Sequence, residues 1–116
     1  PNSIYESIVM KKIVLSLSIC FFSTSALAVT NCGPYKVKSI QTQANDVLVE
    51  FLSSDGKSYF KQIGLWSSPS TRPFLATVMQ AFGMNKPVSI RYAQDNYLCA
   101  STEYTVPIIM IRIANS

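Results

Sequence analysis

The sequence predicts a mainly β protein with one helix, and three observations lead to this fold class. Short runs of alternating apolar and polar residues recur after residue 34, separated by turn residues. This is the pattern of strands that expose one face. Asp55-Gly56 lies between two such runs and supplies the positive φ angles of a tight hairpin. One stretch with helical periodicity, residues 74–82, follows the third run.

The residues before this domain have the features of a secretory signal peptide. Lys11 and Lys12 precede an apolar core at residues 13–22, and residues 10–28 end in Ala-Leu-Ala, a cleavage pattern. The apolar run is shorter than the roughly 20 residues of a spanning helix, which disfavours a membrane anchor. We expect a secreted or periplasmic bacterial protein without a transmembrane anchor after cleavage.

Cleavage would divide the chain into three parts. Residues 1–9 precede a start methionine and are interpreted as a non-native upstream extension, residues 10–28 as the signal peptide, and residues 29–116 as one domain. Two cysteines remain in that domain, Cys32 and Cys99. An even number in an exported chain predicts a disulfide. Free catalytic thiols are the disfavoured alternative, because no histidine is present to activate a thiolate.

Three strands are expected before the helix. An opening turn at residues 31–34 leads into the first, and in the second Val47, Val49 and Phe51 share one face. A turn at residues 53–56 joins the second strand to the third. The predicted strands cover residues 35–42, 47–52 and 57–65.

The helix is expected to follow a polar loop that carries Trp66. Thr71 or Ser70 can cap its first turn, which tolerates Pro73, and Gly83 is expected to end it. Its apolar stripe is interpreted as core: Phe74, Leu75, Val78, Met79 and Phe82.

Further strands are predicted at residues 88–93, 97–101 and 106–114. The last is apolar on both faces and needs cover on both. It either lies at the centre of a strongly curled sheet or packs against another subunit. The interface candidates are Ile108, Ile109, Met110 and Ile111. The expected architecture is a small OB-like, partly open barrel of five to six antiparallel strands, with the helix inserted after strand three. A plain open α+β sheet is the alternative.

The residue types disfavour catalysis. The absence of histidine removes the common catalytic triads and zinc sites, and the four glycines are isolated and form no phosphate loop. Glu50 and Glu103 are carboxylates that could form a glycosidase pair, but nothing in the sequence requires it. The basic residues are scattered, unlike those of a nucleic-acid binder. We expect no enzyme activity, metal, cofactor or nucleic-acid partner.

Aromatic and hydroxyl side chains in the predicted loops favour sugar binding. An aromatic ring stacks on the C–H face of a sugar while polar groups bind its hydroxyls, and barrel loops are a usual place for such sites. For Trp66 the alternative is a core position at the barrel end. The candidates are Trp66, Ser67, Ser68, Tyr97, Glu103 and Tyr104.

Two stretches carry a resemblance to AB5 toxin B subunits. Residues 97–115 contain Cys99, a loop and an apolar strand that ends in Ala-Asn, and Cys32 lies near the mature N-terminus. This order resembles cholera-toxin-like B subunits. Residues 65–92, from LWSSP through the helix to VSIRY, are similar to the matching part of subtilase-cytotoxin-like and typhoid-toxin-like B subunits.

The resemblance implies an OB-fold protomer of a pentamer that binds a host glycan or receptor and carries a separate A subunit. Ala100 and Ser101 stand where the cholera-like proteins have a sugar-stacking tryptophan, and Glu103 and Tyr104 stand where a basic residue lies. No sugar site of the family is therefore carried over. The alternative function is a small periplasmic inhibitor or structural protein that binds one protein partner.

Overall fold

The computed structural model describes residues 28–114, which form a five-stranded sheet and one helix. The predicted upstream extension and residues 10–27 of the signal peptide lie outside the described residues. The strands are antiparallel in the order β3-β2-β1-β4-β5. In chain order the elements are β1 (Thr30–Thr42), β2 (Asp46–Ser53), β3 (Ser58–Leu65), α1 (Thr71–Met84), β4 (Val88–Tyr92) and β5 (Met110–Ile113).

Strand β1 is long because it serves both halves of the sheet. From Tyr35 onward it pairs with β2, and up to and including Tyr35 it pairs with β4. A bulge between Cys32 and Tyr35 interrupts the ladder with β4. The predicted opening turn at residues 31–34 is therefore wrong, because these residues belong to β1. Gly33 permits the bulge with a φ of 125°, and a Cβ there would meet the carbonyl oxygen of Val88.

The sheet is open, but the connection between β4 and β5 approaches the edge strand β3 at one point. Lys61 of β3 and Glu103 form an isolated parallel bridge. The Gln62 N–H donates to the Glu103 carbonyl at 2.9 Å, and the Glu103 N–H donates to the Phe60 carbonyl at 2.8 Å. This arrangement is consistent with a partly open barrel, and the predicted fold class, with one helix after the third strand, is confirmed.

The core lies between the inner face of the sheet and α1. Val47, Val49 and Phe51 are all fully buried, which confirms their predicted common face. The helix contributes Val78 and Ala81 to the same cluster. The remaining members of the cluster come from β1, β3, β4 and the segment before β5: Cys32, Tyr35, Ile63, Val88, Ile90, Tyr92 and Ile108.

Helix α1 differs from its prediction at both ends and on its apolar face. Ser70 is the N-cap residue, but its side chain makes no capping hydrogen bond. The helix continues past Gly83 to Met84, and its C-cap residue is Asn85, whose φ of 54° is left-handed. Met79 and Phe82 are each about half exposed, so part of the predicted core stripe faces outward.

The predicted strand at residues 97–101 is wrong, because side chains rather than a neighbouring strand satisfy its backbone. The Tyr97 N–H donates to Thr30 Oγ1, and the carbonyl of Ser101 accepts from Lys61 Nζ. Tyr35 donates its hydroxyl to the carbonyl of Cys99. A segment whose backbone N–H and C=O groups are satisfied by side chains needs no hydrogen bonds to a neighbouring strand.

The last strand is shorter than predicted and lies at an edge. Residues 106–109 are outside β5, since the Val106 N–H donates to the Glu103 carboxylate and Pro107 has no N–H to offer a ladder. Strand β5 is the end member of the sheet. The alternative of a central last strand is therefore wrong.

Candidate functional site

Trp66 lies half-buried in the loop between β3 and α1. Its indole N–H donates to the carbonyl of Gln43 at 2.6 Å, and its ring packs partly against the core. The Arg72 guanidinium lies 5.9 Å from the ring centroid, within the range of a cation–π contact. The indole nitrogen is thus held by the chain itself, and a ligand would meet the ring and Arg72.

Gln62 connects the Trp66 loop to the segment that carries Tyr104. Its amide Nε2 donates to Asp46 Oδ2 at 3.0 Å and to the Tyr104 carbonyl at 2.9 Å. The Trp66 N–H donates to the carbonyl of Asn45, in the same β1–β2 turn. The structure therefore brings Trp66 and Tyr104 to one end of the sheet.

The predicted serines of this loop differ in exposure. Ser67 is exposed and Ser68 is half-buried. The Ser68 and Ser70 hydroxyls lie 3.1 Å apart in a mutual hydrogen bond. Together with Trp66, Arg72 and Tyr104, these groups form the loop cluster, which offers two aromatic rings, hydroxyl groups and one cation.

Tyr97 and Glu103 have their polar groups engaged in local structure. The Tyr97 ring stacks on Tyr92 at 3.7 Å between centroids, and its hydroxyl accepts from Lys61 Nζ at 3.1 Å. The Glu103 carboxylate accepts the Thr105 N–H at 2.9 Å and the Thr105 hydroxyl at 2.8 Å. These bonds, the backbone one first, hold the pKa of Glu103 below its usual value.

Glu50 lies in a separate polar group on β2. It accepts hydroxyl hydrogen bonds from Ser39 at 2.9 Å and from Ser58 at 3.0 Å, and Lys38 Nζ lies 3.7 Å away. The bond from Ser39 is the main reason that the pKa of Glu50 is lowered. Glu50 and Glu103 thus bond to different partners. Residues 28–114 contain no group of three or more acidic, cysteine or histidine side chains that could hold a metal.

Lys61 is a buried group that the predicted site omits. Its side chain is fully buried and donates to Tyr97 and to the Ser101 carbonyl. The alternating pattern of β3 indicates that Lys61 is buried, because it shares a face with Tyr59 and with the core residue Ile63. The partners of its ammonium group lie about 40 residues further along the chain, beyond the reach of a local pattern.

The four interface candidates near the C-terminus lie in different environments. Ile108 is buried in this chain's own core, whereas Ile109 is 46% exposed. Met110 and Ile111 are half-buried on β5. The exposed apolar surface also includes Met79 and Phe82 of α1.

The predicted disulfide joins Cys32 and Cys99 across 67 positions of sequence. It ties the start of β1 to the strand-free segment at residues 97–101. Among the described residues no helix has the length and hydropathy needed to cross a bilayer. Comparisons with protein-family models, curated proteins and solved structures find no match to this chain. Its function is therefore argued from the fold and the placement of its side chains.

Proposed function

We propose that the protein is an exported, non-catalytic binding subunit that recognises a glycan or another receptor on a host-cell surface, in the manner of the B subunit of an AB5-type toxin. The observation that carries the proposal is the loop cluster. There Gln62, Asn45 and the first residue of β2, Asp46, hold Trp66 and the Tyr104 backbone at one end of a partly open barrel. Barrel loops of this kind suit oligosaccharides.

The chemistry of the loop cluster fits a sugar. The half-buried Trp66 ring supplies an apolar surface for stacking, and Tyr104, whose backbone is bonded to Gln62, is 55% exposed. The exposed Ser67 hydroxyl and the Arg72 guanidinium supply hydrogen-bond donors for sugar hydroxyls. Such a combination binds by stacking and by directed polar contacts, without a reacting group.

Export is supported by the disulfide. Disulfides persist in oxidising compartments such as the periplasm and the extracellular space. Cys32–Cys99 also closes a long loop of a small domain, and such a cross-link stabilises the fold by constraining the unfolded chain. The proposed location is secreted or periplasmic.

Assembly into a homo-oligomer, a ring of five in the AB5 arrangement, is part of the proposal. Met79 and Phe82 on α1 and Ile109 before β5 expose apolar surface that a subunit contact would cover. Strand β5 is an edge strand with one side of its backbone unpaired within the described sheet. A toxin A subunit is the further partner that this arrangement would carry.

A glycan array tests the proposal most directly. The oxidised protein, produced by export of the full chain, is applied beside Trp66→Ala and Ser67→Ala variants. Leu98→Ala is the matched control, because Leu98 is exposed outside the loop cluster. We expect glycan binding that Trp66→Ala abolishes, Ser67→Ala weakens and Leu98→Ala retains.

Two results would contradict the proposal. The first is a folded protein that binds no glycan and no host cells. The second is glycan binding that survives Trp66→Ala unchanged. The first would favour a periplasmic inhibitor or structural protein, to be sought by cross-linking to a protein partner, and the second would place the glycan site outside the loop cluster.

A further inference from the structure

A groove lies at the end of β2 away from the loop cluster. It encloses about 470 Å³, within the range of roughly 300–1,000 Å³ that small-molecule sites occupy. Three irregular features form its walls: the β1 bulge at Pro34, the β2–β3 hairpin at Ser53 and Ser54, and the left-handed helix end at Asn85. Bulges and special backbone conformations concentrate at functional sites.

The lining of this groove combines apolar walls with two cations. Lys36 and Lys86 are its only charged lining residues. Within the described part of the chain, neither ammonium group has a carboxylate in ion-pair range, whereas Lys38 pairs with Glu50. The rest of the lining is apolar or neutral and polar: Pro34, Tyr35, Leu52, Ser53, Ser54, Asn85 and Pro87.

A second cavity of about 220 Å³ continues the groove toward the disulfide. It shares Pro34, Tyr35, Ser53 and Ser54 with the first cavity. Asp55 lines this second cavity and is absent from the first. The combined groove is therefore positive at the lysine end and negative at the Asp55 end, and this polarity would orient a charged ligand.

We propose that this groove binds a small organic anion, a carboxylate or sulfate group carried on one or two rings. The anion lies between Lys36 and Lys86, since an ammonium group is a strong donor to such oxygens. The rings lie along Pro34, Leu52 and Pro87, and the Ser53, Ser54 and Asn85 side chains bind ring substituents. The proposal goes beyond receptor binding, because the groove uses none of the loop-cluster residues.

The C-terminal end of α1 at the groove disfavours an anion, but hydrogen bonds to its carbonyls reduce this effect. The C-terminal end of a helix carries partial negative charge. In α1, however, the Asn85 N–H donates to the Ala81 and Phe82 carbonyls, and the Lys86 N–H also donates to Ala81. These carbonyls are thus capped, and the two unit charges of the lysines exceed the partial charge of about −0.5 that a helix C-terminus carries.

The test is a ¹H–¹⁵N NMR titration of the oxidised, exported protein with matched probes. Benzoate and methyl glucuronide carry the anion on an aromatic ring and on a sugar ring. Benzamide and methyl glucoside are their neutral counterparts. We expect saturable shifts at the amides of Lys36, Ser53, Ser54 and Lys86 with one or both anions, and affinity for the neutral probes lower by roughly tenfold or more. Which anion binds more tightly identifies the ring.

Lysine variants decide whether the groove is the site. Lys36→Gln and Lys86→Gln should each weaken anion binding by roughly tenfold, the loss expected for one charge-assisted contact. Lys57→Gln is the matched control, because it removes the same charge from the exposed hairpin outside both cavities. The proposal is overturned if no anion gives saturable shifts there, if neutral probes bind as well, or if a variant that combines Lys36→Gln with Lys86→Gln binds the anion unchanged.

Discussion

At the scale of single residues, Lys61 shows how a charge is accommodated in a small core. Its ammonium group lies 4.8 Å from the Tyr97 ring centroid, 5.6 Å from Tyr92 and 5.7 Å from Tyr59. It donates to the Tyr97 hydroxyl and, at 2.7 Å, to the Ser101 carbonyl. Aromatic faces and two acceptors compensate the lost hydration. Lys61 therefore links the segment that carries Cys99 to β3 by hydrogen bonds.

Replacing Lys61 by Met should destabilise the protein. The Ser101 carbonyl and the Tyr97 hydroxyl would lose their buried donor, at a cost of about 3 kcal/mol in the free energy of unfolding. Lys57→Met, on the exposed hairpin, should change it by no more than about 0.5 kcal/mol. Urea unfolding of the oxidised proteins measures both, and equal stabilities would refute this role of Lys61.

Alkaline pH should weaken the fold through Tyr35. Burial raises the pKa of the Tyr35 phenol to about 12, helped by Tyr97, Tyr59 and Asp55 nearby. An unfolded tyrosine ionises near 10. The folded state thus keeps a proton that the unfolded state releases, so this contribution is complete below pH 10 and is lost as pH rises toward 12.

The Tyr35→Phe variant isolates that contribution. Urea unfolding between pH 8 and pH 11, a range chosen to span the ionisation of unfolded tyrosine, should show a shallower loss of stability for the variant than for the original protein. Its stability at pH 8 should also be lower, since the hydroxyl donates to the Cys99 carbonyl at 3.3 Å. Parallel pH profiles would contradict the assignment to Tyr35.

At the scale of elements, local pattern predicted the hairpin of β2 and β3 to within one residue at each end. Alternation and Asp55-Gly56 are local signals, and Gly56 has the expected positive φ of 88°. The segment at residues 97–101 could not be predicted in this way. Its backbone is bonded by Thr30, Tyr35 and Lys61, which lie far away in sequence.

In the candidate sites, too, residue types can be predicted from the local sequence, but contacts between distant residues cannot. Trp66 and Tyr104 were found from residue type, but their connection through Gln62 depends on the approach of the Tyr104 segment to β3. The anion groove was not predicted, because its walls come from a bulge, a hairpin and a helix end. No single stretch of sequence contains that arrangement.

Two glycines offer a matched test of how α1 sits on β3. Gly64 is buried, and a Cβ there would collide with the Thr71 side chain at the start of α1. Gly83 is exposed within the helix, with nothing near its added Cβ. Gly64→Ala should lower the free energy of unfolding by about 2 kcal/mol, and Gly83→Ala should raise it by about 0.5–1 kcal/mol. Thermal unfolding that ranks them in the opposite order would contradict this packing.

At the scale of the whole molecule, part of the exposed apolar surface lies on α1 and beside β5. Met79 and Phe82 lie on α1, and Ile109 precedes β5. Helix α1 and β5 are also in contact with each other. A subunit contact could therefore cover both elements, and an edge strand would gain a partner there.

Ile109→Lys tests that contact. The charge would be placed in the proposed subunit interface, and the assembly should shift toward monomer while the fold is kept, because Ile109 is already 46% exposed. Leu98→Lys is the control, since Leu98 is exposed outside α1 and β5. Light scattering with circular dichroism separates assembly from folding. A folded Ile109→Lys protein of unchanged native mass would exclude this residue from the interface.

The native mass of the exported, oxidised protein tests the central claim most directly. Light scattering gives the assembled mass, and denaturing mass spectrometry of the same sample gives the protomer mass. The proposed ring of an AB5-type binding subunit predicts a ratio of five. A stable monomer across the concentration range would contradict it, and the search would then turn to a single protein partner.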